Sequence, residues 1–291
     1  MSKSIKKLRD DLIVLNTKIQ NLATNLLSLY QDYFQNFSEI VNRQLILAVY
    51  QICTQKYPDS FLRLSYQQRI NLQKQIKALD TIFIENLLDS FKSIELPNNK
   101  FIQDFYNQII TLFSSLLITE NSPQETLLDS KNTQTNNSEN LSTSQEINPE
   151  ELIKFQLDIE DCIEECLMNI SHRTNKYLQN ANILPNKIPS KILEMALQAE
   201  ENTSLVSGSP NLLSLVIEKE DTSDNLNISP IIALCLRLTE IEFNHTQLNL
   251  IRQKITILLQ ELDALENEYT KINQQYAIAQ AESAWRSSWN E

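Results

Sequence analysis

The sequence predicts an all-α protein: an N-terminal helical bundle and a long C-terminal coiled-coil helix, joined through a disordered acidic linker. Three observations carry this. The 291 residues hold a single glycine, where average usage would supply about twenty. Two apolar seams, one near each end, repeat at three-four spacing without a fault. Between them, 24 of the 30 residues from 119 to 148 are Ser, Thr, Asn, Gln, Asp or Glu, too little apolar surface to offset chain entropy.

The glycine shortage also excludes functions. Few positions can take positive φ or let backbone approach a phosphate closely, so phosphate-binding loops, dinucleotide folds and tight-turned β barrels are not expected. Acidic residues outnumber basic ones 37 to 25, giving a net charge of −12. Such a field repels nucleic acid, and no nucleic-acid partner is expected.

The first helix starts near Ser4. Ile5, Leu8, Leu12, Leu15, Ile19, Leu22, Leu26, Leu29 and Tyr33 form its seam, about 42 Å long at 1.5 Å per residue. Beyond Tyr33 the apolar side broadens through Phe34, Phe37, Val41, Leu45, Ala48 and Ile52, so helix should continue, buried, to about Lys56 before Pro58. Ser65 and Gln68 have capping-box spacing and should open a second helix running to about Ile94. Leu96-Pro97-Asn98-Asn99 reads as a turn, and Lys100 to Ile118 as a third helix with Phe101, Phe105, Ile109 and Phe113 on one side. Residues 1–118 thus form an N-terminal unit and 119–148 the linker.

Asn148-Pro149 is a cap followed by proline at the first helical position, expected to start a helix reaching about Gln179. Prolines at 185, 189, 210 and 230 break the next stretch, leaving room for two short helices, about Ser190 to Glu200 and Asn211 to Lys219. Residues 149–229 form the third segment. The last, 230–291, reads as one long helix from about Pro230, with the seam Leu248, Ile251, Ile255, Leu258, Leu262, Leu265, Tyr269, Ile272, Tyr276 and Ala279. That seam is about 47 Å long. Two seams of matched length suggest antiparallel pairing with each other, because a parallel homodimer would set Glu261 against Glu266. Ile13 and Val14 lie outside the seam and suit additional neighbours.

Chemistry is sparse. Glu242-x-x-His245 has half the spacing of a di-iron site, but His172 has Asn169 three residues before it, so a solvated helix surface is the better reading. Cys162 and Cys166 continue an apolar stripe with Phe155 and Ile159, which makes them core thiols rather than zinc ligands. No nucleophile–base pair, metal set or phosphate loop is present in the sequence, so no catalytic residue, cofactor or metal is expected. No apolar run reaches the roughly 20 residues that span a bilayer. Four cysteines without a secretory signal read as reduced, cytoplasmic thiols.

Both tryptophans fall near the end, Trp285 and Trp289, with Arg286 between them. These residue types dominate binding hot spots. Packing against the end of the bundle is the simpler reading; a protein-partner contact and a membrane-interface contact stay open. The ending Ala-Glu-Ser-Ala-Trp-Arg-Ser-Ser-Trp (281–289) resembles the C-termini of a group of uncharacterised helical proteins from cyanobacteria. The resemblance extends through SGSPNLLSLVIE (207–218) and ALCLRLTEIEF (233–243), covers the final third of the chain, and implies a bacterial cytoplasmic setting. The expected function is a non-enzymatic helical scaffold or adaptor for protein partners, with a homo-oligomer allowed. The alternative is a peripheral membrane or cell-envelope-associated assembly factor.

Overall fold

Helix dominates because the sequence offers long three-four apolar periodicity with the caps to frame it. The computed structural model describes residues 5–95, 99–120, 148–185, 210–217 and 229–289. The elements are α1 (Ile5–Gln51), a π-helical turn (Ile52–Lys56), α2 (Pro58–Leu62), α3 (Tyr66–Ser93), α4 (Lys100–Glu120), α5 (Pro149–Asn180), β1 (Leu212–Ile217), β2 (Ser229–Leu234), α6 (Leu238–Phe243) and α7 (Thr246–Ser288). Among the described residues the fold is all-α but for one two-stranded antiparallel ribbon.

The expected caps form. The Gln68 amide donates to Ser65 Oγ (3.3 Å) while the Ser65 amide donates to Gln68 Oε1 (2.8 Å), a closed capping box at the start of α3. Asn148 Oδ1 accepts from the Glu150 amide (3.1 Å); Asn99, read from sequence only as part of a turn, also caps, its Oδ1 accepting from the Phe101 amide (3.0 Å) at the start of α4. Asparagine also does glycine's work. Asn182 takes φ 56° just past α5, where the Ile183 amide reaches back to the Leu178 carbonyl and the Asn182 amide to that of Gln179. That is a Schellman ending with Asn at the left-handed position.

Helix does run on through the π turn to Lys56, as expected, and Pro58 then opens α2, since its missing N–H costs nothing at the first position. Several expectations are corrected. The expected short helix from Asn211 to Lys219 is a strand, β1. The expected continuous helix from Pro230 is instead β2, then α6, then α7 from Thr246. Most of the proposed linker 119–148 and the short helix from Ser190 to Glu200 lie outside the described residues.

Compact units do not follow sequence order. One comprises Met1–Asp32, Ile94–Asp158 and Ile251–Glu291; the other comprises Tyr33–Ser93 and Ile159–Leu250. Divisions at 118, 148 and 229 are therefore not the boundaries of the compact units. In the first unit Leu8 and Leu15 pack with Ile272, flanked by Leu12, Tyr276 and Ala279. Further along, Ile19, Leu22 and Ala23 meet Leu262 and Leu152. Contacts on α7 move backwards as those on α1 move forwards, so the two helices run antiparallel. Ile13 and Val14 remain more than half exposed rather than meeting additional neighbours in a core.

The second unit has an aromatic centre. Tyr33 stacks on Phe37 (5.0 Å), Phe34 meets Phe91 edge-on (5.4 Å), and Phe37 tilts against Phe83 (5.9 Å). Asn42 donates to Asp80 (2.6 Å), tying α1 to α3.

Candidate functional site

Glu242, read from sequence as surface, is buried and accepts a 2.7 Å hydrogen bond from the Tyr33 hydroxyl. His245 Nδ1 accepts from the Leu248 amide (3.4 Å), capping α7. The pair is thus committed to joining α1 with α6 and to starting α7. Among the described residues no cluster of His, Cys, Asp or Glu could hold a metal. Cys53, Cys162, Cys166 and Cys235 are all buried and undisulfided. Burial pushes the Cys166 thiol up to about 12, although Ser90 lies 3.7 Å away and acts in the opposite direction. Burial alone pushes Cys53 to about 11.

The seam residues behave as a core. Leu8, Leu15, Ile19, Leu22 and Leu26 on α1 are buried, as are Leu248, Ile251, Ile255, Leu262 and Ile272 on α7. Ile5, Leu12, Leu29, Leu258, Leu265 and Tyr269 are half-buried.

The end of α7 differs. Trp285 is 65% and Trp289 73% exposed, so neither closes the bundle within the described chain, contrary to the simpler reading. Their rings touch each other, centroids 5.6 Å apart at 40°. Arg286 pairs with Glu282 (3.4 Å), an exposed i, i+4 bridge worth a few tenths of a kcal/mol, roughly. With 3.6 residues per turn, Ile278, Trp285 and Trp289 share a face about 130° around α7 from Ile272, Tyr276 and Ala279. Ile278 is itself 53% exposed. The indole face therefore points away from the line that packs on α1.

The ribbon is a second constructed feature, and sequence reasoning missed it. Asn211 begins it at φ 60° and is almost fully buried. Its amide donates to Glu240, its carbonyl accepts from the Cys235 amide (3.0 Å), its Oδ1 from the Arg237 amide (3.3 Å), and its Nδ2 donates to Gln44 (3.3 Å). Glu240 is held in turn by Arg237 (2.7 Å). Register then pairs Leu213 with Ala233, Ser214 with Ile232 and Val216 with Pro230.

Side chains meet outward main-chain groups of β2. Asn175, fully buried, donates to the Leu234 carbonyl (2.8 Å) and accepts from the Leu234 amide (2.9 Å), as a neighbouring strand would. Ser171, one turn earlier on α5, accepts from the Leu236 amide (2.9 Å). The Tyr57 hydroxyl accepts from the Ile232 amide (2.8 Å), and burial raises that phenol above its ordinary pKa. At Pro230 no amide proton exists to satisfy.

No protein-family model, no curated protein and no solved structure matches the chain. No helix among the described residues is long and apolar enough to cross a membrane.

Proposed function

We propose that the protein is a non-enzymatic, cytoplasmic helical scaffold or adaptor that docks protein partners through the end of α7, with Trp285, Arg286 and Trp289 as the contact residues. The carrying observation is the exposure of two adjacent indoles on the face of α7 that does not pack on α1. Large aromatic rings lose little conformational freedom on binding, and their burial dominates interface energies. The bacterial setting implied by the resemblance of residues 281–289 belongs to the same proposal.

The test compares wild type with Trp285→Ala/Trp289→Ala as bait, followed by binding measurements with the purified partner. Loss of binding by about thirtyfold or more, the value of about 2 kcal/mol for a hot spot, with an unchanged melting temperature supports the proposal. Equal binding by both overturns it.

A second reading, peripheral association with an anionic membrane, is favoured by one observation. Exposed Lys6 and Arg9 of α1 flank Leu8, which packs in the cluster that includes Ala279 of α7, so basic residues and the indole-bearing end of α7 share one end of the helix pair. Flotation with anionic vesicles that fails after either the indole or the Lys6/Arg9 substitutions would favour this reading; no flotation of wild type eliminates it.

A further inference from the structure

Two lines of residues run along α7. One is the apolar seam that meets α1. The other repeats at intervals of seven: Ile257, Ala264, Lys271, Ile278 and Trp285. All five are exposed, Ile257 to 55% and Ile278 to 53%. Seven residues fall about 20° short of two straight-helix turns, and slight left-handed supercoiling removes that drift. The five therefore form one face, about 42 Å long.

The flanks of this face differ. Lys254, Glu261, Glu268 and Glu282, again separated by multiples of seven, edge one side and are all exposed. Gln260, Asn267 and Gln274 edge the other without charge.

We propose that this face pairs antiparallel with the same face of a second copy of the chain, giving a closed dimer. The proposal rests on the reading of the indole-bearing end of α7 as a docking surface and names its occupant. The charge pattern singles out that occupant, because one register of self-pairing satisfies it. With the two-fold axis level with Asn267 and Glu268, Ile257 lies opposite the partner's Ile278. Lys271, the one charged residue in the line, lies opposite the partner's Ala264, the smallest. A two-fold axis across antiparallel helices brings like flanks together, so Lys254 meets the partner's Glu282 at both ends of the contact. Lys271 stands within a turn of the partner's Glu261 and Glu268. The two Glu268 side chains meet across the axis and have a lysine on either side. Trp285 lies a turn from the partner's Lys254, where a cation over the indole adds to the contact.

Neighbouring registers fail. Moving the axis half a heptad toward the C-terminus sets Lys271 on the partner's Lys271 and Glu261 on the partner's Glu282. Half a heptad the other way sets Lys271 on the partner's Ile257 and Glu261 on the partner's Glu268. A parallel pair opposes every charge to its own copy. Since both copies use the same face, association stops at two.

Light scattering coupled to size exclusion reads the mass of the full chain. Wild type should show twice 33.7 kDa at high concentration and dissociate on dilution. Lys271→Glu, and separately Glu261→Lys/Glu268→Lys, set like charges around the axis, and each should raise the dissociation midpoint at least about tenfold. All three positions are exposed, so helical circular dichroism should not change. Mixed one to one, the two variant chains should associate with each other, because their charges then oppose one another across the contact. On mild oxidation, Ile257→Cys chains mixed with Ile278→Cys chains should give a disulfide-linked dimer that neither gives alone; the native thiols are buried. A wild type that is monomeric at all concentrations overturns the proposal, as does a dimer indifferent to the charge reversals. So do variant chains that fail to associate when mixed, cysteine chains that fail to crosslink when mixed, or a disulfide-linked dimer of Ile257→Cys chains alone. A monomeric wild type whose indole variants still lose a protein partner keeps the docking reading and overturns only this one.

Discussion

Substituting Asn175 by alanine should open the ribbon and spare the rest. Its side-chain amide is fully buried and makes two bonds to Leu234, at 2.8 and 2.9 Å. Alanine leaves a buried N–H and a buried C=O without partners, each costing about 1–3 kcal/mol. The loss is therefore about 2–6 kcal/mol, which at 1.4 kcal/mol per tenfold corresponds to roughly thirtyfold to twenty-thousandfold. Amide hydrogen exchange at Leu234 reads it directly, since that proton is the one released. Ser171→Ala, which removes one acceptor from Leu236, should have a smaller effect, about 1–3 kcal/mol. Asn175→Asp keeps the acceptor but sets a carboxylate against the Leu234 carbonyl, so it should not rescue. Amides of Ile19 and Leu262, which belong to the other compact unit, should exchange as in wild type. Unchanged exchange at Leu234 in the folded alanine variant would refute the assignment of Asn175 as the strand's surrogate neighbour.

Ile19→Ala, at a fully buried seam position, should cost about 2–5 kcal/mol in urea unfolding, whereas Ile13→Ala, more than half exposed, should change stability by no more than about 0.5 kcal/mol; equal effects would contradict the antiparallel seam. At pH 8 the four buried thiols should resist a thiol reagent in native protein and react promptly in urea. Cys53 and Cys166 have folded pKa values raised from 9.0 to about 11 and about 12. Their protonated forms support the fold below about pH 9, and that support declines as pH rises through the 9–12 window, so the urea midpoint should drop there and recover in Cys53→Ala/Cys166→Ala relative to its own pH 8 value. Tryptophan fluorescence of the native chain should match water-exposed indole and change little on unfolding; a blue-shifted native spectrum would mean the rings are covered.

The parts of this fold that are legible in sequence depend on short-range spacing. The two seams, the Ser65–Gln68 box and the Asn148 cap are each decided within a few residues, and each forms where expected. Leu212 to Ile217 is not legible because six apolar-rich residues have no useful period; such runs suit a buried helical turn or a strand equally. Val216, Ile217, Ile231 and Ile232 are the available β signal, and Ser229-Pro230 conceals it by imitating a helix start. Asn175 and Leu234 lie 59 residues apart, and nothing local marks an asparagine that will stand in for a strand. Glu242 is misread for the same reason, its partner Tyr33 being 209 residues away. The exposure of Trp285 and Trp289 is likewise undecided from sequence, since the register of α7 identifies their face but not the neighbours of that face.

The antiparallel pairing of α1 with α7 imposes an order of events during synthesis. Leu8 and Leu15 are buried against Ile272, which is translated more than 250 residues later. At about 5–20 residues per second, the apolar stripe of the first helix leaves the ribosome and waits roughly 10–50 s for its partner. During that interval it is a free amphipathic helix in a crowded cell, able to pair with the same helix on a neighbouring nascent chain. Shielding the stretch from Leu8 to Leu15, whose buried partners lie on α7, until translation reaches that helix is the demand this topology places on folding.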